Sequence, residues 1–122
     1  MNVKISTNGK FHAITIHEPE LAANMTEDLR NRLTFFLQDD IKNLVIIMKD
    51  IQKIDSAAAR ELLLIRNRFH ENQASFVLCD LQPDVKNFFR LDEQFESLQI
   101  TPTFSEASDM VYLEEIEREM MD

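Results

Sequence analysis

Residues Leu44 to Phe69 read LVIIMKDIQKIDSAAARELLLIRNRF, and this stretch decides how the chain folds. Its first five residues form a continuous apolar run, which has the length of a buried β-strand. Its last part is rich in alanine and leucine, which favour a helix. Between the two, Asp55 and Ser56 place a hydroxyl at the expected start of that helix. A strand, a short loop and a serine at a helix N-terminus together present one side chain to a partner or ligand.

The composition indicates a single globular domain over residues 1–122, with 44% apolar and 29% charged residues. The sequence has no apolar run of about 18 residues, so we expect no membrane-spanning helix. Its first residues contain no apolar segment of the kind found in a signal peptide, so we expect no signal peptide either. A single cysteine, Cys79, leaves no intrachain disulfide to form. A cytoplasmic protein is the resulting expectation.

The formal net charge of −9 narrows the possible partners. Nucleic-acid binding depends on lysines and arginines that displace counterions, so this charge argues against it and against an anionic membrane surface. A basic protein partner would associate faster through electrostatic attraction. The acidity also has a simpler interpretation, in which it only keeps a small protein dispersed.

The hydrophobic pattern along the whole chain predicts the order β-β-α-β-α-β-α-β-α. The expected strands lie at residues 3–5, 11–16, 44–48, 76–79 and 98–101, and the expected helices at residues 24–38, 56–71, 83–91 and 105–120. Strands that alternate with helices indicate an α/β fold with a mixed, mostly parallel sheet of about four to five strands and about four helices. Residues 113–122 could fray beyond the last packed turn.

The second predicted helix is amphipathic, with one face for the core and another for solvent. Its expected core stripe consists of Ala58, Leu62, Ile65 and Phe69, widened by Leu63. Leu64 falls on the outer side, where it could contact another protein.

Enzymatic motifs are largely missing from the sequence. One glycine in the whole chain excludes both nucleotide-binding glycine fingerprints. The three histidines lack the spacing of metal ligands, and Cys79 in an apolar strand fits a buried small side chain. Asp50 and Asp55 flank the loop before Ser56, but loop solvation explains them more simply than a metal or acid–base role. We therefore expect no enzymatic activity, no cofactor and no metal site.

Ser56 has two compatible interpretations. As an N-cap it would accept a backbone N–H and contribute about 1 kcal/mol. As a phosphorylation site it would gain a charge of about −1.5 to −2, which the N-terminal end of a helix tolerates. The fold would then survive the modification, whereas a partner with apolar or acidic groups at the same place would be repelled.

Three segments resemble the STAS domain of bacterial anti-sigma-factor antagonists. They are Ile51–Ser56 (IQKIDS), Ser75–Leu81 (SFVLCDL) and Pro83–Leu91 (PDVKNFFRL). The resemblance implies a small mixed sheet built from successive βα turns. It also implies that Ser56 is phosphorylated by a serine kinase that is itself the anti-sigma factor, that the unphosphorylated form binds this kinase, and that a serine phosphatase resets the switch.

The sequence departs from the family pattern directly after the Asp-Ser step. Where the family continues with Ser-Gly-Leu-Gly, this chain has three alanines and Arg60. The alanines keep the surface small, and Arg60 adds a long cation where the family has glycine, so these residues select the partner. The predicted partner contacts are Asp55, Ala57, Ala58, Arg60 and Leu64, with Phe88 or Phe89 as apolar anchors, one of which must face the core.

Two other functions fit the same sequence. The chain could be a scaffold subunit of a larger complex, such as a transporter-associated or stress-signalling assembly, with Ser56 only as a helix cap. It could instead bind a small ligand or a lipid, which requires an apolar cavity between the sheet and the helices.

Overall fold

The computed structural model describes residues 1–121 and confirms an α/β fold. Its strands are β1 (Val3–Thr7), β2 (His12–Ile16), β3 (Glu20–Leu21), β4 (Leu44–Ile47), β5 (Lys53–Ile54), β6 (Phe76–Cys79) and β7 (Gln99–Thr101). Its α-helices are α1 (Thr26–Thr34), α2 (Ser56–Glu71), α3 (Pro83–Arg90) and α4 (Phe104–Met121). Short 3-10 turns lie at Ala23–Met25, Phe35–Gln38 and Glu93–Phe95. No helix among residues 1–121 has both the length and the apolar character needed to cross a membrane.

The main sheet has five strands in the order β1-β2-β4-β6-β7. Only β1 is antiparallel to its neighbour, and the remaining pairs are parallel, as the alternating pattern predicted. The hairpin between β1 and β2 turns at Asn8, whose side-chain oxygen accepts the backbone N–H groups of Lys10 and Phe11 at 2.8 and 2.9 Å. These local bonds fix the register that places Ile5 opposite Ile14.

The sheet separates two apolar clusters. The larger cluster joins one face of the sheet to α1, α2 and α3, and the smaller one joins the other face to Ala107 and Val111 of α4. Neighbouring residues of β4 alternate between the clusters, with Ile46 in the larger and Val45 in the smaller. Burial on both faces explains why this strand is a continuous apolar run.

A second, two-stranded sheet consists of β3 and β5, which pair in parallel. The sequence analysis did not predict it, because two-residue strands carry no periodicity. The Gln52 N–H donates to the carbonyl of Pro19 at 2.7 Å, and the Asp55 N–H donates to that of Leu21 at 3.1 Å. This pairing holds the loop before α2 against the segment before α1.

The structure corrects the bounds of two helices. The predicted helix over residues 24–38 consists of α1 between two 3-10 turns, and Asn24 lies inside the first turn and is not a cap. The start of α4 is capped by Thr103, whose hydroxyl accepts the Glu106 N–H at 3.2 Å, and not by Ser105. Helix α4 continues to Met121, and the fraying of its end stays a prediction; Asp122 lies outside the described residues.

Candidate functional site

Asp55, and not Ser56, caps helix α2. Asp55 has the extended backbone of a cap residue (φ −95°, ψ 171°), and its Oδ1 accepts the Ala58 N–H at 2.9 Å. A cap side chain bonds the N–H of the second or third helical residue, so the residue just before the first helical turn is the one that can reach it. Ser56 is already the first helical residue, and the prediction of Ser56 as the cap is wrong by one position.

The second oxygen of Asp55 joins a different part of the chain. Its Oδ2 accepts the backbone N–H of Ala23 at 2.8 Å, at the start of the 3-10 turn that leads into α1. One carboxylate therefore holds the N-termini of two helical segments together. The backbone N–H of Ala58 foremost, and then that of Ala23, hold the pKa of Asp55 below its usual value, because these bonds favour the ionised form.

Ser56 lies exposed in the first turn of α2. Within residues 1–121 its hydroxyl takes part in no hydrogen bond, because capping is performed by its neighbour Asp55. No described titratable side chain is bonded to this hydroxyl as a base. The geometry thus presents a hydroxyl that can be modified without breaking a structural bond.

Helix α2 presents an exposed stripe that begins at this serine. Ser56, Arg60 and Leu64 follow one another at a spacing of four residues, and all three are exposed. Leu64 is 58% exposed, which confirms its predicted place on the outer side. Ala57 is half-buried at the edge of this stripe.

Two of the predicted contact residues face the core instead. Ala58 is 1% exposed and packs in the larger apolar cluster, so its side chain is not available to a partner. Phe89 is 3% exposed and packs edge-on against Phe95, with ring centroids 5.3 Å apart. The helical phase of α2 and α3 turns both side chains inward. Of the two phenylalanines, only Phe88 is partly accessible.

A groove of about 200 Å³ lies beside the start of α2, between β5 and α3. Its walls are formed by Gln52, Lys53, Ile54, Asp84, Val85 and Phe88. Phe88 supplies an apolar wall, and Lys53 and Asp84 supply charges of opposite sign. The sequence analysis missed Lys53, Ile54 and Asp84, because nothing local indicates that β5 and α3 lie together.

An ion pair between the exposed Arg30 and the buried Glu61 supports this surface from behind. The guanidinium of Arg30 in α1 donates to both carboxylate oxygens of Glu61 in α2, at 3.1 and 2.7 Å. Glu61 is only 7% exposed, which is unusual for a carboxylate and is possible here because the guanidinium pairs with it. This bidentate bond and the Asp55 carboxylate fix α1 against α2, so the exposed stripe rests on a rigid base.

Asp50 belongs to a separate pair near the same end of the sheet. Its Oδ2 lies 2.7 Å from Nδ1 of His17, and both side chains are partly exposed. Among residues 1–121, no three His, Cys, Asp or Glu side chains come together as a metal site would require.

Comparison with known proteins places this geometry in context. The STAS domain family model matches residues 2–107. A sequence search of curated proteins found no match.

Solved structures that share the fold at low identity include the following three. A STAS-domain anti-sigma-factor antagonist from Planctomyces limnophilus matches with a TM-score of 0.75 at 16% identity, covering 89% of this chain and 96% of that one. The Bacillus cell fate determinant SpoIIAA in its phosphorylated form matches with a TM-score of 0.65 at 15% identity, covering 90% and 99%. The murine anion transporter Slc26a9 matches with a TM-score of 0.75 at 15% identity, covering 88% of this chain and 18% of the transporter.

Proposed function

Since this chain belongs to the STAS domain family, we propose that it is a non-enzymatic regulatory module that binds an anti-sigma-factor serine kinase, and that phosphorylation of Ser56 switches this binding. The observation that carries the proposal is that Asp55 and Ser56, although adjacent, have different roles at the start of α2. Asp55 caps the helix, and Ser56 is left exposed with its hydroxyl free of structural bonds within residues 1–121.

The fold should tolerate a phosphate on Ser56. The modification leaves the bonds from Asp55 to Ala58 and Ala23 in place, because neither involves the serine hydroxyl. A phosphate in the first turn of a helix is favoured by the helix dipole. Arg60, one turn further along the exposed stripe, adds a nearby positive charge.

The same phosphate should repel a docked partner. It adds a charge of about −1.5 to −2 directly beside the Asp55 carboxylate. A partner that covers the exposed stripe and the Phe88 groove would have to desolvate this charge, which is unfavourable without a matching cation. Phosphorylation would thus abolish binding without unfolding the domain, and a serine phosphatase would restore it.

The test compares three variants in binding to an anti-sigma-type serine kinase from the same organism, measured by calorimetry. Ser56→Asp should weaken binding at least ~10-fold, whereas Ser56→Ala should bind like the unmodified protein and take up no phosphate in an intact-mass assay. Ser105→Asp is the matched control, because Ser105 is an exposed serine in the first turn of α4. Equal binding by Ser56→Asp and Ser56→Ala would contradict the switch.

A second candidate is a subunit of a larger assembly that Ser56 does not control. The shared fold with part of the murine anion transporter Slc26a9 favours it. The version of this hypothesis in which Ser56 acts as the helix cap is wrong, because Asp55 is the cap. In this case Ser56→Asp would leave assembly intact, so the same experiment separates the two candidates.

A further inference from the structure

An apolar groove lies far from Ser56 in the chain, between the first hairpin and α1. It has a volume of about 450 Å³ and is lined by Val3, Ile5, Ile14, Asn31, Arg32, Leu33, Phe35 and Phe36. Ile5 is 51% exposed and Phe35 is 62% exposed, although both belong to the most apolar residue types. Two large apolar side chains that share one exposed groove mark an interaction surface more than scattered single residues do.

The groove runs along an open edge of the sheet. Within residues 1–121, β1 pairs with β2 alone. The His17 N–H donates to the carbonyl of Asn2 at 2.8 Å, and the Asn8 N–H donates to that of Phe11 at 3.1 Å. In an antiparallel pair such residues alternate, so Val3, Ile5 and Thr7 direct their N–H and C=O groups away from β2. The side chains of these three residues lie on the face of the sheet that packs against α1, α2 and α3, because they stand opposite Ile16, Ile14 and His12.

We propose that a second copy of this chain occupies this edge, with β1 paired antiparallel to β1 of the other copy about a two-fold axis at Ile5. In this register Ile5 lies opposite Ile5 of the second copy, and Val3 lies opposite Thr7. The outward groups of Val3, Ile5 and Thr7 then form up to about six hydrogen bonds across the axis. The Ile5 and Phe35 side chains of each copy fill the groove region of the other, as an isologous interface requires.

The charged residues near β1 bear on both parts of the proposal: the choice of a second copy as the occupant and the register in which the two β1 strands pair. The chain has a net charge of −9, but residues 1–17 contain no Asp or Glu. Two carboxylates beside the start of β1 are already bonded there: Glu18 accepts the Asn2 N–H at 2.7 Å, and Asp28 pairs with the N-terminal ammonium at 3.3 Å. A register shifted by one residue toward the N-terminus would place Lys4 directly opposite Lys4 of the second copy, and like charges at such a position destabilise the pair. Pairing about Ile5 places Lys4 opposite Ser6 instead.

The first test measures molecular mass by sedimentation equilibrium across protein concentration. The unmodified protein should form a dimer, and Ile5→Lys should lower the association constant at least ~100-fold by placing two cations at the axis. Ile116→Lys on α4 is the matched control, because Ile116 is 52% exposed against 51% for Ile5, and it should dimerise normally. Unmodified protein that stays monomeric at hundreds of micromolar would overturn the proposal, whether or not native mass spectra show a bound small ligand. So would loss of the dimer in Ile116→Lys with retention in Ile5→Lys.

The second test examines the register by disulfide formation under mild oxidation. Directly opposed residues of a hydrogen-bonded pair have Cα atoms about 5.5 Å apart, within disulfide reach, so Ile5→Cys should cross-link two copies. Lys4→Cys should not, because its copies would lie roughly 8 Å apart. Native Cys79 is fully buried and does not compete. Efficient cross-linking of Lys4→Cys without Ile5→Cys would overturn the register. Neither result depends on Ser56, so the phosphorylation switch stands or fails separately.

Discussion

Two serines at opposite ends of the fold show how the same side chain serves different purposes. Ser75 precedes β6 and is 2% exposed. Its hydroxyl donates to Glu114 at 2.6 Å and accepts from Arg118 at 2.8 Å, so both roles of the hydroxyl are used. Ser56 follows β5, is exposed, and has a neighbour that performs the capping. The residue type is the same, and the surroundings decide whether the hydroxyl stabilises the fold or is available to another protein.

The network around Ser75 joins the amino ends of the strands to α4. The Asn43 side chain accepts the Ser75 N–H at 2.7 Å and donates to Glu115 at 2.8 Å. Arg118 also donates to Glu115 at 3.0 Å. These partners lie on segments far apart in the sequence, so the network of hydrogen bonds attaches α4 to the sheet. At the Ser56 end, two comparable contacts join distant segments: the bond from Ala23 to Asp55 and the pair formed by Arg30 and Glu61. Ser56 takes part in neither of them.

The largest difference should follow from the same substitution at both serines. Ser75→Asp would bury a carboxylate against Glu114, and we expect it to lower the free energy of unfolding by at least about 3 kcal/mol. Ser56→Asp should change it by no more than about 0.5 kcal/mol, because the side chain is exposed at a helix N-terminus. Urea denaturation of both variants measures the difference. Losses of similar size at the two positions would contradict the distinction between a structural and an available serine.

Asp55 should have an intermediate effect. Asp55→Ala removes the acceptor for Ala58 and Ala23, and we expect the melting temperature to fall by roughly 3–6 °C, as for a lost helix cap. Asp84→Ala is the control, because Asp84 is an exposed acid in the first turn of α3 without a capping bond to that helix. Calorimetric scans that show equal shifts for both variants would rule out the capping role of Asp55.

The stabilisation by Asp55 should also depend on pH. Its pKa in the folded state lies below the ordinary value of an aspartate, mainly because the Ala58 N–H bonds the ionised form. The stabilisation is therefore fully present above the unfolded-state pKa and is lost as the pH falls through the folded-state pKa. The difference in melting temperature between the unmodified protein and Asp55→Asn should shrink as the pH falls below about 4. A difference that stays constant from pH 7 to that range would argue against the ionised carboxylate as its source.

Arg60 should show the smallest effect on stability. Arg60→Ala removes an exposed side chain from α2, so the free energy of unfolding should stay within about 0.5 kcal/mol. Binding to the serine kinase should weaken about 10-fold, because Arg60 lies between Ser56 and Leu64 on the exposed stripe. Arg68→Ala, at the far end of the same helix, should bind normally. Equal affinities of the two variants in calorimetry would remove Arg60 from the contact surface.

Patterns within single elements were enough to predict the outline of this protein. The apolar run that forms β4 predicted a buried strand, and the spacing in α2 predicted its core stripe and the outward position of Leu64. These features depend on the period of a strand or a helix, which each segment carries by itself. The resemblance in the segments around Ser56 identified the STAS fold, and the family match over residues 2–107 confirms it.

Only the tertiary structure showed which side chains meet across the fold. The bond from Asp55 to Ala23 and the pair formed by Arg30 and Glu61 join residues about thirty positions apart. The periodicity within one segment gives no information about such contacts, because they depend on how α1 packs against α2. For the same reason the sequence left open which of Phe88 and Phe89 faces the core, and it assigned the cap to Ser56. The position of the N-cap, one residue before the helix at Asp55, is what leaves the hydroxyl of Ser56 free of structural bonds among the described residues.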